Sequence, residues 1–147
     1  MMDYENIPLY WINRLGFQAR KELSRLFRAS GYDVSPEEWA ILLVLWSKGP
    51  LSPGAISELT IKDRTTVTRL ADAMVRKGLV VRREDPEDRR KLLVDVSEKG
   101  AVLERHLVPL AQKLVARVLA GIPDTDIEIT LKTFRKMSAN LRDGPEG

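Results

Sequence analysis

Asp63-Arg64-Thr65-Thr66-Val67-Thr68-Arg69-Leu70-Ala71-Asp72-Ala73-Met74-Val75-Arg76-Lys77-Gly78 is the stretch on which the fold turns. At about 100° per residue, Val67, Leu70, Ala71 and Met74 fall on one face of a helix, and Thr65, Arg69, Asp72 and Arg76 fall on the opposite one. Asp63 carries the side chain of an N-cap, and Gly78 stands where a left-handed glycine closes a helix. The spacing therefore predicts a helix over 64–77 with one face for a core and the other for a partner.

Upstream, Ser52-Pro53 repeats the start chemistry of a helix and predicts a short one ending near Leu59. Before it, Ser35-Pro36-Glu37-Glu38 supplies an N-cap, a proline at the first helical position and a capping-box glutamate. The body that follows, Trp39-Ala40-Ile41-Leu42-Leu43-Val44-Leu45-Trp46, is apolar nearly all round and is expected to be the buried hub. Over 9–29, Ile12, Leu15, Ala19, Leu23, Leu26 and Phe27 recur at three- and four-residue steps, the mark of a long amphipathic helix.

Downstream of Gly78 the period changes to that of strands. Leu79-Val80-Val81-Arg82-Arg83 and Lys91-Leu92-Leu93-Val94-Asp95-Val96 flank a charged loop containing Pro86, which predicts a β-hairpin. Ser97 then caps a helix with Leu103, Leu107, Leu110, Leu114 and Val118 on one stripe. After Ile122-Pro123-Asp124, a last helix carries Ile127, Leu131, Phe134, Met137 and Leu141, and the polar stretch 143–147 is expected to fray. The fold class is mainly α with a small β-hairpin. Two short helices, the second with an exposed basic face, followed at once by a hairpin, is the winged helix-turn-helix order.

Charge agrees with that order. The net charge is only +3 over 147 residues, yet segment 62–91 holds ten basic residues against six acidic ones, so the excess is local. A helix face bearing Arg and Thr suits the major groove of duplex DNA, where arginine bonds guanine and threonine bonds base edges or touches thymine methyls. There are no cysteines, which excludes disulfides, thiolate metal sites and thiol redox sensing. No basic stretch followed by an apolar run opens the chain, and its longest apolar run, 39–46, is far too short to span a membrane. A cytoplasmic location without membrane partners is expected. No catalytic motif, cofactor site or metal site stands out. His106, the single histidine, is expected to pack or lie at the surface, and Asp85, Glu87 and Asp88 lack the pattern of a calcium loop.

The series Asp63 to Leu70, Lys77-Gly78-Leu79-Val80, Asp85-Pro86-Glu87-Asp88-Arg89-Arg90 and Val96-Ser97-Glu98-Lys99-Gly100 resembles the MarR family of bacterial transcription regulators. Ala73-Met74-Val75 departs from the family's usual triplet without disturbing the buried Met74 position. The resemblance implies a repressor on palindromic double-stranded DNA, acting as a homodimer and released by a small aromatic or anionic effector. It treats 1–147 as one such domain, with a DNA-binding lobe over 35–96 and dimerisation helices over 9–30 and 97–141. It makes Asp88 and Arg90 the Asp-x-Arg of the wing.

Arg64, Thr65, Thr68 and Arg69 are read as base and phosphate contacts, with Thr66 at the flank. The alternative is a solvated face held by local pairs such as Asp72 to Arg76. Asp72 is expected to orient an arginine rather than touch a base. Arg89 and Arg90 are read as minor-groove contacts, the alternative being a loop held by Asp88 in an ion pair. Trp11, Arg14, Phe17 and Trp39 are the candidate effector residues, with core packing the competing role for the aromatics. The rival function is a winged-helix scaffold that binds protein through the same exposed helix.

Overall fold

Ser35 starts the helix around which the rest is arranged. Its hydroxyl accepts from the Glu38 amide at 3.1 Å and its own amide donates to Glu38 Oε1 at 2.9 Å, a complete capping box. In this computed structural model, which describes residues 1–144, that helix is α2 (Pro36–Lys48), preceded by α1 (Pro8–Ala29) and a 3-10 turn at Tyr4–Asn6. There follow α3 (Pro53–Thr60), α4 (Arg64–Arg76), β1 (Val80–Glu84), β2 (Leu92–Val96), α5 (Glu98–Val118) and α6 (Asp124–Asp143). The predicted elements are all present, with ends displaced by one or two residues. The expected fraying over 143–147 falls mainly on 145–147, outside the described residues.

Two compact units divide the chain, the first ending at Gln112 and the second beginning at Lys113. In the first, α2 packs against α1, α3, α4 and β2. Phe27, Ile41, Leu42, Leu45, Ile56, Val67, Met74, Val80, Val94 and Leu107 are fully buried there. The hub expectation holds on one side of α2 only, because Leu43 is 41% exposed. An apolar run shows no period, so the sequence had no way to mark which of its residues faces out. In the second unit, α6 buries none of its residues.

The hairpin is antiparallel, with Val80 opposite Val96 and Arg82 opposite Val94. Leu51, in the α2–α3 connection, bridges Val94 through paired backbone bonds of 3.0 and 2.8 Å. This third, single-residue rung attaches the hairpin to the helices, and no pattern in the sequence announces it.

Two backbone positions are tightly constrained. At Gly100, in the first turn of α5, a Cβ would lie 2.1 Å from the carbonyl oxygen of Leu79. The same carbonyl accepts from the Ser97 amide, and the Gly100 carbonyl accepts from Trp46 Nε1 at 3.1 Å. Ile61, which ends α3, is a β-branched residue at φ 54° whose side chain is 90% exposed. It stores left-handed strain with no packing in return. Urea unfolding should show Gly100→Ala less stable by about 1–3 kcal/mol, against the helix propensity of alanine. Ile61→Gly should be more stable by about 1 kcal/mol.

Candidate nucleic-acid interface

Helix α4 is split as its periodicity requires. Val67, Leu70, Ala71 and Met74 are its buried residues, while Arg64, Thr65, Thr68, Arg69, Asp72 and Arg76 line one open groove. Its first turn is fixed by Asp63 Oδ1, which accepts from the Thr66 amide at 2.7 Å. Its end is turned by Gly78 at φ 75°, after which the Leu79 amide returns to the Met74 carbonyl at 2.9 Å. Lys77, at the C-cap, bonds the buried Glu38 at 2.8 Å and pairs with Asp33 at 3.4 Å. Burial opposes the charge on Lys77, but Glu38 and Asp33 outweigh it and raise its pKa above the ordinary lysine value.

The groove residues are not equivalent. Among the described residues, the side chains of Arg64, Arg69 and Arg76 have no hydrogen-bond or ion-pair partner, so their guanidinium groups are available. Arg64 leans over the start of α3, where a Cβ on Gly54 would sit 3.4 Å from its Nη1. Thr68 donates its hydroxyl to the Arg64 carbonyl at 2.9 Å, leaving lone pairs and a methyl for a partner. Thr66 is half-buried beside the cap, in keeping with its flanking position. Asp72 does not pair with Arg76. It holds Arg82 of β1, a strand residue ten positions on, so it orients an arginine as expected, in place of the local i, i+4 pair weighed as the alternative.

At the hairpin tip, Asp88 accepts from Arg90 through its backbone amide at 3.1 Å, Nε at 3.1 Å and Nη2 at 3.3 Å. Arg90 is nevertheless 90% exposed along its side chain. The ion pair weighed for this loop is present, and Asp88 orients the guanidinium without covering it. Arg89 is exposed and has no partner among the described residues.

The MarR family profile matches residues 32–91. The HTH-type transcriptional repressor IacR of Pseudomonas putida is 27% identical over 93% of this chain and 81% of its own length. A MarR family transcriptional regulator from Silicibacter pomeroyi has a TM-score of 0.79 at 25% identity, covering 97% of this chain and 95% of that one. A structure explaining regulation of DNA binding of Bordetella bronchiseptica BpsR by 6-hydroxynicotinic acid has a TM-score of 0.82 at 21% identity, covering 94% and 97%.

The chain is similar to the MarR family through residues 32–91 and through relatives that span most of its length. It is a DNA-binding transcription regulator with the winged helix fold of that family.

The four candidate effector residues do not converge within the described chain. Arg14 and Phe17 line a shallow cavity of about 320 Å³ with Tyr10, Asn13 and Gln18. Arg20 stands 4.7 Å over the Phe17 ring. Trp11 instead donates its Nε1 to the Glu5 carbonyl at 2.7 Å and meets Tyr10 edge-on. Trp39 lies between Phe27 and Trp46, with ring centroids 5.3 and 5.6 Å away, so packing accounts for it. His106 stacks on Tyr32 at 5.9 Å and is exposed, as expected. Sequence reasoning missed Arg82 as the partner of Asp72. An acid on a basic helix face signals that some cation must face it, but not which one.

The Asp63 carboxyl is held below the ordinary carboxylate range, chiefly by the Thr66 amide. A carboxyl lowered on folding adds stability that is complete above its unfolded pKa and is lost as pH falls through the folded value. Unfolding measured across a pH series should show this loss beginning below about pH 4. Asp63→Asn keeps a capping oxygen without the titration, so its stability should fall less steeply over the same range.

Proposed function

We propose that the chain is a ligand-responsive repressor that binds a roughly palindromic operator as a homodimer in the cytoplasm, without catalysing a reaction. The observation that carries this reading is the exposed face of α4, where Thr65 and the partnerless Arg69 point away from the buried stripe. Arg64, Thr66 and Thr68 flank them, and Arg89 with the Asp88-oriented Arg90 extends the grip from the wing into the neighbouring minor groove. The segment 35–96 is the reading lobe.

The homodimer rests on apolar surface. Leu9, Trp11, Ile12, Leu15 and Phe17 are exposed on the first half of α1. Val115, Val118 and Leu119 near the end of α5, then Ile129, Leu131, Phe134 and Leu141 on α6, are exposed as well. Stripes of this length on helices that bury little of their own surface are the mark of an interface, and a second copy is the partner whose matching stripes are assured. Dimerisation is assigned to 9–30 and 97–141. A small aromatic or anionic effector that alters the spacing of two α4 helices would release the operator, as 6-hydroxynicotinic acid regulates DNA binding in BpsR.

Selection of bound duplexes from a random pool, followed by a salt titration of the best site, tests the reading. Affinity should fall steeply with salt, whereas a protein-binding scaffold would show little dependence. Arg69→Ala and Arg90→Ala should each weaken the selected site by about 1–3 kcal/mol. Sedimentation should show a dimer at micromolar concentration, and a stable monomer would remove the dimer claim.

A further inference from the structure

Asp72 is the one acidic residue in α4, and it lines the groove that the proposed function assigns to DNA. A carboxylate there repels phosphates, so electrostatics alone make it a liability. Its oxygen is held by Arg82, and the place of Arg82 in the wing gives the pair a use. Along β1 only Val80 is buried, while Val81, Arg82, Arg83 and Glu84 are exposed. Opposite Arg82 stands Val94, the residue bridged on its other side to Leu51. At this level the hairpin is therefore gripped from one side by the α2–α3 connection and from the other by the middle of α4. Among the described residues, Asp72–Arg82 is the side-chain hydrogen bond joining α4 to the hairpin.

Asp72 and Arg82 are 47% and 35% exposed along their side chains, and a pair this wet adds little to folding stability. Its effect is geometric. The tip arginines lie further out along the hairpin than the pair, so a small rotation at Arg82 is magnified at Arg89 and Arg90.

We propose that Asp72 and Arg82 form a latch that sets the angle of the wing to α4, and that the latch supports discrimination between DNA sequences rather than general affinity for DNA. Both are positioning residues. The inference rests on the DNA-binding reading above and deepens it. It gives the opposite sign to simple electrostatics, because removing the acid should weaken the chosen site while leaving attraction to any duplex the same or greater.

The test compares two probes, the duplex that the full-length parent selects from a random pool and a scrambled duplex of equal length. Asp72→Asn should lower the ratio of selected to scrambled affinity about tenfold, with scrambled binding held or raised. Arg82→Gln should lower the ratio similarly, and the double variant should lose little more than either single one. The charge-swapped pair, Asp72→Arg with Arg82→Asp, should recover most of the ratio at unchanged net charge. Thermal unfolding of every variant checks the fold, and the swapped pair retains the test if a single variant folds poorly. Asp72→Asn that binds the selected duplex as tightly as the parent, with the ratio intact, would overturn the latch. So would Arg82→Gln that weakens both duplexes equally and reduces the salt slope by about one, the signature of a plain phosphate contact. A parent that prefers no duplex would overturn the DNA reading and the latch together, whereas a selective parent with indifferent variants would overturn the latch alone.

Discussion

A helix that reads another molecule must be immobile on one face, and in this chain that requirement falls on Val67, Leu70, Ala71 and Met74. Their burial against the α2-centred core fixes the rotation of α4 about its own axis, and with it the direction of Thr65 and Arg69. Rotation alone is not enough, since a helix can also slide. Asp63 pins the first turn, and the Lys77 bond to Glu38 ties the last turn to the start of α2. Glu38 is 2% exposed and serves both the capping box of α2 and the end of α4. One buried carboxylate thereby fixes two helix ends relative to each other. The entropy of ordering the exposed arginines is then the main ordering cost left for DNA to meet.

The charges around α4 follow the same economy. Segment 62–91 is only modestly basic, yet three of the acids in and beside it orient arginines. Asp88 holds Arg90, Asp72 holds Arg82, and on β2 Asp95 holds Arg83 at 2.9 Å. The side chains of Arg64, Arg69, Arg76 and Arg89 are left without hydrogen-bond or ion-pair partners among the described residues. The arginines thus divide into those with a preset direction and those that adapt, and net charge alone conceals the distinction. The Asp88 carboxyl is held below its ordinary range chiefly by the side chain of Arg90, so the pair persists to lower pH than an isolated aspartate would allow.

Features written in local periodicity were legible in the sequence. The stripe of α4, the capping box at Ser35, the Ser97 cap that accepts from the Gly100 amide at 3.0 Å and the strand period after Gly78 all arise within a few residues. What the sequence did not disclose depends on residues far apart or on an apolar run without a period. The Leu51–Val94 rung, the Asp72–Arg82 pair and the Trp46 bond to Gly100 are of the first kind, and exposed Leu43 is of the second. The effector candidates illustrate the limit. Trp11 and Trp39 are equally aromatic in sequence, but one caps the N-terminal turn and the other fills a ring cluster, because neighbours from other elements decide their roles.

Under the proposed function, the small number of unpaired arginines would also explain why a homodimer suits this chain. A lobe offering one partly adaptable helix face and one wing tip has limited grip on any single half-site. Joining two lobes makes the second contact intramolecular, so its strength is governed by effective concentration rather than by additional contacts. The same arithmetic makes release economical. An effector need not compete with each arginine for DNA. It need only shift the separation of two rigid α4 helices until both half-sites cannot be occupied together. Rigid helices are required for that sensitivity, since flexible ones would follow the operator as the spacing changed. In that reading, the buried stripe of α4, the Glu38–Lys77 tie and the apolar faces outside the winged lobe serve one physical design, in which rigid readers would derive their specificity from spacing.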